Sequence, residues 1–259
     1  MQYSELQARI DSAKELDFGQ IFNQSIELFK KVWLQGLLIL LLTFALMIPF
    51  IIIFYTPLVI LGIADSSNPG YLESAAPFAV FFMIIAYLLL LFAVMVISTG
   101  LRAALFKIIG NKDQGDELTK DDYFLYLRRP YLSKTIALGF ANLGISLLAT
   151  MLCFFPIIYA TVPLNLMVVI YAFNPELSTS ELVNAGFKLG NKKWLITFGL
   201  TLVAGFLAQM VGMLMCGIGI FFTASFVVIP LYFVYKESVG LQDDELKQIG
   251  NNLENNATI

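Results

Sequence analysis

Asn142, Ser146 and Thr150 recur at every fourth position of an otherwise apolar stretch, so an α-helix would carry all three on one face. Asn165 and Gln209 stand in two further apolar stretches. Amides and hydroxyls in such surroundings form hydrogen bonds rather than transfer protons or attack carbonyls. The five residues would line a polar cavity, or they would tie helices together at about 0.6 kcal/mol per bond. No stronger chemistry is offered elsewhere. The chain has no His, which removes imidazole acid–base catalysis, imidazole metal ligands and the usual switch near neutral pH. The sequence contains no Gly-rich phosphate loop, no paired Cys ligands and no Gly-x-Ser-x-Gly elbow. Asp113, Asp116, Glu117, Asp121 and Asp122 share a segment with basic residues, lack the spacing of a cation-binding loop, and read as solvated surface. The expectation is a non-enzymatic protein with no catalytic residue, no metal site and no cofactor.

A second spacing concerns packing. Ala204, Ala208, Gly212 and Cys216 are also four apart, and small residues at this interval let two helix backbones approach closely. The stripe either packs a neighbouring helix of the same chain or joins two copies. Cys153 and Cys216 are the two cysteines. Both fall near the ends of apolar segments, where they either fill space or pair.

The elements that carry these residues follow from composition. Of 259 residues, 58% are hydrophobic and 14% charged, with a mean hydropathy of +0.78. A soluble domain is about 45–50% apolar and about 25% charged. The net charge of −3 provides no basic footprint for nucleic acid. Trp33–Ala64, Ser74–Leu101, Thr135–Pro175 and Trp194–Tyr235 contain no charged side chain. A bilayer crossing takes about 20 apolar residues. The first two runs fit one span each. The last two fit two spans each, broken at Phe155-Pro156 and at Cys216-Gly217-Ile218-Gly219. The chain is therefore expected to be all-α, a polytopic membrane helical bundle of six transmembrane helices in three hairpins. The spans are placed at about 35–57, 77–100, 135–153, 157–173, 194–215 and 219–235. The first run is too long for an untilted span and should kink near Pro49 or leave the membrane around Pro57. None of the six spans contains Asp, Glu, Lys or Arg, which weighs against a proton pump, a voltage sensor or a carrier built on a buried carboxylate.

With six spans, all 16 Lys and Arg fall on one side, and Lys31, Arg102, Lys134, Lys193 and Lys236 lie at span ends. The positive-inside rule makes that side cytoplasmic, with both termini there. Met1–Glu15 is polar and lacks a secretory signal pattern, so the first span should act as an uncleaved insertion signal. Residues 1–241 form one membrane domain; 242–259 is a polar, Asn-rich tail.

Three basic-side stretches precede the hairpins. In Phe18–Val32 and the Trp that follows, Phe18, Phe22, Ile26, Phe29 and Trp33 mark one helical face, and Asp17 with Gln20 resembles a capping box. Ser178–Lys193 pairs Ser178 with Glu181 in the same pattern and supplies Leu182, Phe187 and Leu189. Thr119–Arg129 shows a weaker version with Tyr123, Phe124 and Leu127. The segments Asn23–Trp33 and Asn184–Trp194 align without a gap through Asn, Leu, Lys and Trp. Their tryptophans stand just before spans, where indole rings favour the water–lipid boundary. A repeated unit of interfacial amphipathic helix plus two-span hairpin is implied, with Phe18, Phe22, Phe29, Trp33, Phe187 and Trp194 as its interfacial face. These helices either lie in the headgroup layer or pack on the bundle's own end.

Phe18-Gly-Gln-Ile-Phe-Asn-Gln-Ser-Ile-Glu-Leu-Phe-Lys-Lys-Val-Trp33, Phe187-Lys-Leu with Trp194, the Gly217-Ile-Gly219 turn and Pro230 resemble a group of bacterial six-span integral membrane proteins of unknown function. That group is similar to the membrane domain attached to some glycerophosphodiester phosphodiesterases, and some of its members carry the name beta-carotene 15,15′-monooxygenase. The resemblance implies the six-span fold and the bacterial inner membrane. It brings no catalytic residue. Carotene oxygenase chemistry needs four iron-binding histidines on a β-propeller, and this chain has no His. The functional expectation is a protein that organises the bilayer or a membrane partner complex through its amphipathic helices, with membrane lipids and other membrane proteins as partners. The alternative is a transport component for a small neutral or lipidic solute.

Overall fold

The computed structural model describes residues 1–67, 71–152, 155–215 and 217–241. Nine α-helices appear among them: α1 Tyr3–Ser12, α2 Phe18–Ser67, α3 Tyr71–Gln114, α4 Leu132–Met151, α5 Phe155–Phe173, α6 Thr179–Lys192, α7 Trp194–Leu214, α8 Gly219–Thr223 and α9 Ile229–Val239. Short 3-10 segments occupy Lys120–Leu127 and Ala224–Val228, and no strand occurs among the described residues. Six stretches are long and apolar enough to cross a bilayer: Phe18–Ser67, Phe78–Gln114, Leu132–Met151, Pro156–Phe173, Trp194–Leu214 and Gly219–Val239. The protein is an all-α, multi-pass membrane bundle.

The first hairpin departs from the sequence expectation. α2 is one helix of 50 residues that runs through both Pro49 and Pro57, and α3 is one helix of 44. The stretch Phe18–Val32 is thus the first part of α2, continuous with the span. A charge-free run marks where a chain meets lipid, not where its helix stops. Polar residues at either end continue a helix as readily as apolar ones, and a membrane helix tolerates proline when its freed carbonyls are otherwise satisfied. At about 1.5 Å per residue α2 is about 75 Å long, against about 30 Å for α4. α2 and α3 run antiparallel, with the Phe54 and Tyr87 rings 6.4 Å apart.

The last apolar stretch is also broken up. It comprises α8, the 3-10 turn Ala224–Val228 and α9. Gly217 adopts a left-handed φ of 83° and donates its N–H to Gly212 O at 3.0 Å, turning α7 back toward α8 as its position in the sequence suggests. Cys153 and Cys216 lie outside the described residues.

Two zones result. At the end that carries the basic residues, the bundle has a dense core built from Leu101–Ile109 of α3, Leu164–Ala172 of α5, Ile229–Val239 of α9, and Leu6, Ile10, Leu182 and Leu189 of α1 and α6. Toward the other end, α2, α3, α4 and α7 expose rows of Leu, Ile, Val and Phe, the surface a lipid environment accepts. Polar bonds lock the basic end. Tyr126 Oη donates to Ala172 O at 2.6 Å, Thr135 Oγ1 donates to Tyr126 O at 2.7 Å, and Asp113 accepts from Tyr232 Oη at 2.8 Å and Lys236 Nζ at 2.6 Å. Burial pushes the Tyr126 phenol up, keeping it a neutral donor.

Candidate functional site: a polar groove between α3 and α4

α3 and α4 come close where Gly139 faces Met95; a Cβ on Gly139 would stand 2.6 Å from Met95 Cγ. The missing side chain sets the separation of the two helices. Beside that contact lies a groove of about 280 Å³ lined by Leu91, Val94, Met95, Ser98, Thr99 and Arg102 of α3 and by Gly139, Asn142, Leu143 and Ser146 of α4. The spacing explains the lining. Residues 91, 95, 98 and 102 share one face of a helix, as do 139, 142 and 146.

Arg102 dominates the site. It is part-buried, and its Nη2 donates to Asn165 Oδ1 of α5 at 2.6 Å. Among the described residues it forms no ion pair. A guanidinium carries five N–H donors, so a single amide oxygen leaves others unused on a side chain that lines the groove. Of the other lining groups, Ser146 Oγ donates to Asn142 Oδ1 at 3.3 Å and Ser98 Oγ donates to Met95 O at 3.3 Å.

The depth of Arg102 follows from helix register. Equal steps from the Phe54–Tyr87 pair toward the basic end set Arg102 level with Ile39. That is about 9 Å beyond Trp33, where the exposed apolar surface of α2 begins. The side chain of a helical residue leans toward its helix N-terminus, which carries the guanidinium deeper still. Asn142 is about 12 Å along α4 from Lys134, and Asn165 about 12 Å along α5 from Phe173. The charge therefore lies within the apolar stretch Phe78–Gln114, on the side of Trp33 where the exposed apolar rows run. Arg102 stands just past residue 100, the expected end of the second span, and α3 continues through it without a break. Ser98 and Thr99 were not singled out from sequence, and Arg102 was named there only as a charge at a span end. The available signal was that 98 and 102 continue the face of 91 and 95.

The groove reaches the surface of the bundle at Val94. Val94, which lines it, is 42% exposed, and Phe92 and Phe140 beside it are 40% and 55% exposed with their rings 6.2 Å apart. The exposed residues here are apolar, whereas Met95 and Thr99 are buried and Arg102, Asn142 and Ser146 are half-buried.

The remaining expected site residues are distributed as follows. Asn165 bonds Arg102 and also lines a second cavity of about 220 Å³ with Thr161, Phe198 and Thr201. Thr150 is exposed and donates to Ser146 O at 2.8 Å. Gln209 is exposed on α7, away from both cavities. Ala204, Ala208 and Gly212 are buried: Thr223 Oγ1 donates to Ala208 O at 3.0 Å, and Ile220 closes over Gly212. Ala208 and Gly212 thus face the chain's own α8, while Cys216 lies outside the described residues.

On α2 the buried stripe is Ile21, Ser25, Leu28, Val32, Gly36 and Ile39. Phe22 and Phe29 flank it and meet Phe226 edge-on at 6.0 and 5.4 Å, while Phe18 and Trp33 are 39% and 40% exposed. Phe187 and Trp194 are half-buried; Trp194 stacks on Tyr159 at 6.3 Å and donates its Nε1–H to Tyr159 O at 3.0 Å. α6 buries Leu182, Ala185 and Leu189, and its opposite side bonds α1 through Lys188 to Asp11 at 2.7 Å and Lys192 to Ile10 O at 2.9 Å. Its capping box is formed: Glu181 N–H donates to Ser178 Oγ at 3.3 Å and Ser178 N–H to Glu181 Oε2 at 2.8 Å. Hydrogen bonds from the Ser178 hydroxyl and N–H hold the Glu181 carboxyl below the usual carboxylate range. At the start of α2, Gln20 N–H donates to Asp17 Oδ1 at 2.6 Å. No family model, curated protein or solved structure matches the chain.

Proposed function

We propose that this protein is a non-enzymatic component of the bacterial inner membrane that takes a lipidic solute from the bilayer into the α3–α4 groove. The observation that carries the reading is a groove that brings Arg102, Asn142 and Ser146 together with the exposed, apolar Val94. An aqueous solute would favour an opening toward water. A molecule with a polar head and an apolar body matches an opening at the apolar Val94. The clustering of Lys and Arg at one end supports placing that end, with both termini, in the cytoplasm.

The organising role is the second reading. It draws support from the exposure of Phe18 and Trp33 at the basic end. Against it stands the use of the same helices' inner faces for packing: Phe22 and Phe29 on Phe226, and Leu182 and Leu189 in the core.

Native mass spectrometry of the full chain released from mild detergent separates the two. The groove reading expects a lipid adduct that survives purification and is lost in Leu143→Trp, which fills the groove. An adduct unchanged by that variant, and reduced instead by Phe18→Ser with Trp33→Ser, favours the organising role.

A further inference from the structure

We infer that the groove's ligand is an anionic amphiphile, whose carboxylate or phosphate meets the guanidinium of Arg102 while its chain lies along the exposed apolar residues beside the groove. The inference rests on reading the groove as the solute site and adds the charge of the solute.

A cation at membrane depth is costly unless paired or hydrated. Among the described residues, the group that meets this one is the neutral Asn165, through one 2.6 Å bond. That bond fixes one edge of the guanidinium without neutralising it. The remaining N–H groups can present the planar fork that carboxylates and phosphates accept in pairs. Ser98, Thr99 and Ser146 line the same groove; the Thr99 hydroxyl can donate to an oxygen of an anion, and those of Ser98 and Ser146 can do so by turning away from Met95 O and Asn142 Oδ1. None of the groove's lining residues is acidic, so no built-in counter-ion competes. A groove of about 280 Å³ holds a small headgroup with its first methylenes, not two acyl chains. The rest of the molecule must extend over Val94, Phe92 and Phe140, which are exposed and apolar. A purely structural role for Arg102 would be met by any internal hydrogen bond, and it would not explain why the polar groups beside it face an opening.

The test uses the full chain in nanodiscs of neutral lipid, with a photoreactive long-chain fatty acid and, in parallel, its methyl ester. The acid should label α4 at least about tenfold more than the ester, and Arg102→Gln should remove that preference. Arg102→Lys should retain part of it. Asn165→Asp serves as a second variant that keeps the bond and gives Arg102 an internal counter-ion; it should fold as the parent does and lose labelling by the acid. Equal labelling by acid and ester, both abolished by Leu143→Trp, overturns the anionic inference and leaves the groove reading standing. Absence of labelling by either probe overturns both. Inorganic phosphate at millimolar concentration should not compete; if it displaces the acid, the site serves a free anion and the amphiphile is wrong.

Discussion

Arg102 of α3 reaches across the bundle to Asn165 of α5 and donates a hydrogen bond of 2.6 Å. The pair couples the groove to the packed half of the molecule, because α5 is buried at Leu164 and from Leu166 to Ala172. Replacing Asn165 with Leu removes the charged donor's internal acceptor. The expected loss is about 1.5–3 kcal/mol, read as a lower unfolding midpoint in detergent. A midpoint equal to the parent's would show that the bond contributes nothing to the fold.

A second prediction concerns helix approach. Gly36 of α2 lies against Ser225 so closely that a Cβ would overlap the serine side chain. Gly36→Val should destabilise by about 1–3 kcal/mol through overpacking. Gly62, on the same helix with open space around it, should accept Ala without loss. Comparable behaviour of the two variants would contradict the packing described for α2 and the 3-10 turn Ala224–Val228.

The cap of α6 gives a pH signature. Glu181 titrates lower when folded than when unfolded, because Ser178 bonds its carboxylate. Its stabilising effect is present above the ordinary carboxylate range, about pH 4.3, and is lost as pH falls through the depressed folded value. The difference in midpoint between the parent and Glu181→Gln should therefore be constant near neutrality and shrink in acid. Ser178→Ala should raise the pH at which it shrinks. A difference that does not change with pH would contradict the bonded cap.

Sidedness is tested by reporter fusions. Reporters near Ser67 and near Gly115 should fall on opposite sides of the membrane, and a reporter at the N-terminus should agree with the one near Gly115. Agreement between the first two would refute the crossing of α3.

The bundle was legible in the sequence because lipid exposure demands long charge-free runs, and Trp33–Ala64 or Trp194–Tyr235 admit no other reading. The Ser178–Glu181 cap and the Gly217 turn were legible because each is local chemistry. What escaped depended on packing between distant segments. The Phe18, Phe22, Phe29 periodicity identified the right stretch of α2, yet the face it buries is rotated to Ile21, Ser25, Leu28 and Val32, with Phe22 and Phe29 flanking it against Phe226, two hundred positions away in the chain. Likewise Arg102 reads as a boundary residue on its own, since the sequence does not show that α3 continues to Gln114 or that Asn165 waits opposite.

The most direct measurement places a nitroxide at Ser146 in a chain whose Cys153 and Cys216 are replaced, and compares its collisions with oxygen and with a water-soluble nickel chelate in bilayers. A groove that opens to lipid at membrane depth gives high oxygen and low nickel accessibility, and the addition of a long-chain fatty acid reduces the mobility of the label. High nickel accessibility, equal to that of a label near Gly115, would show that the groove faces water, and the lipidic solute would have no route into it.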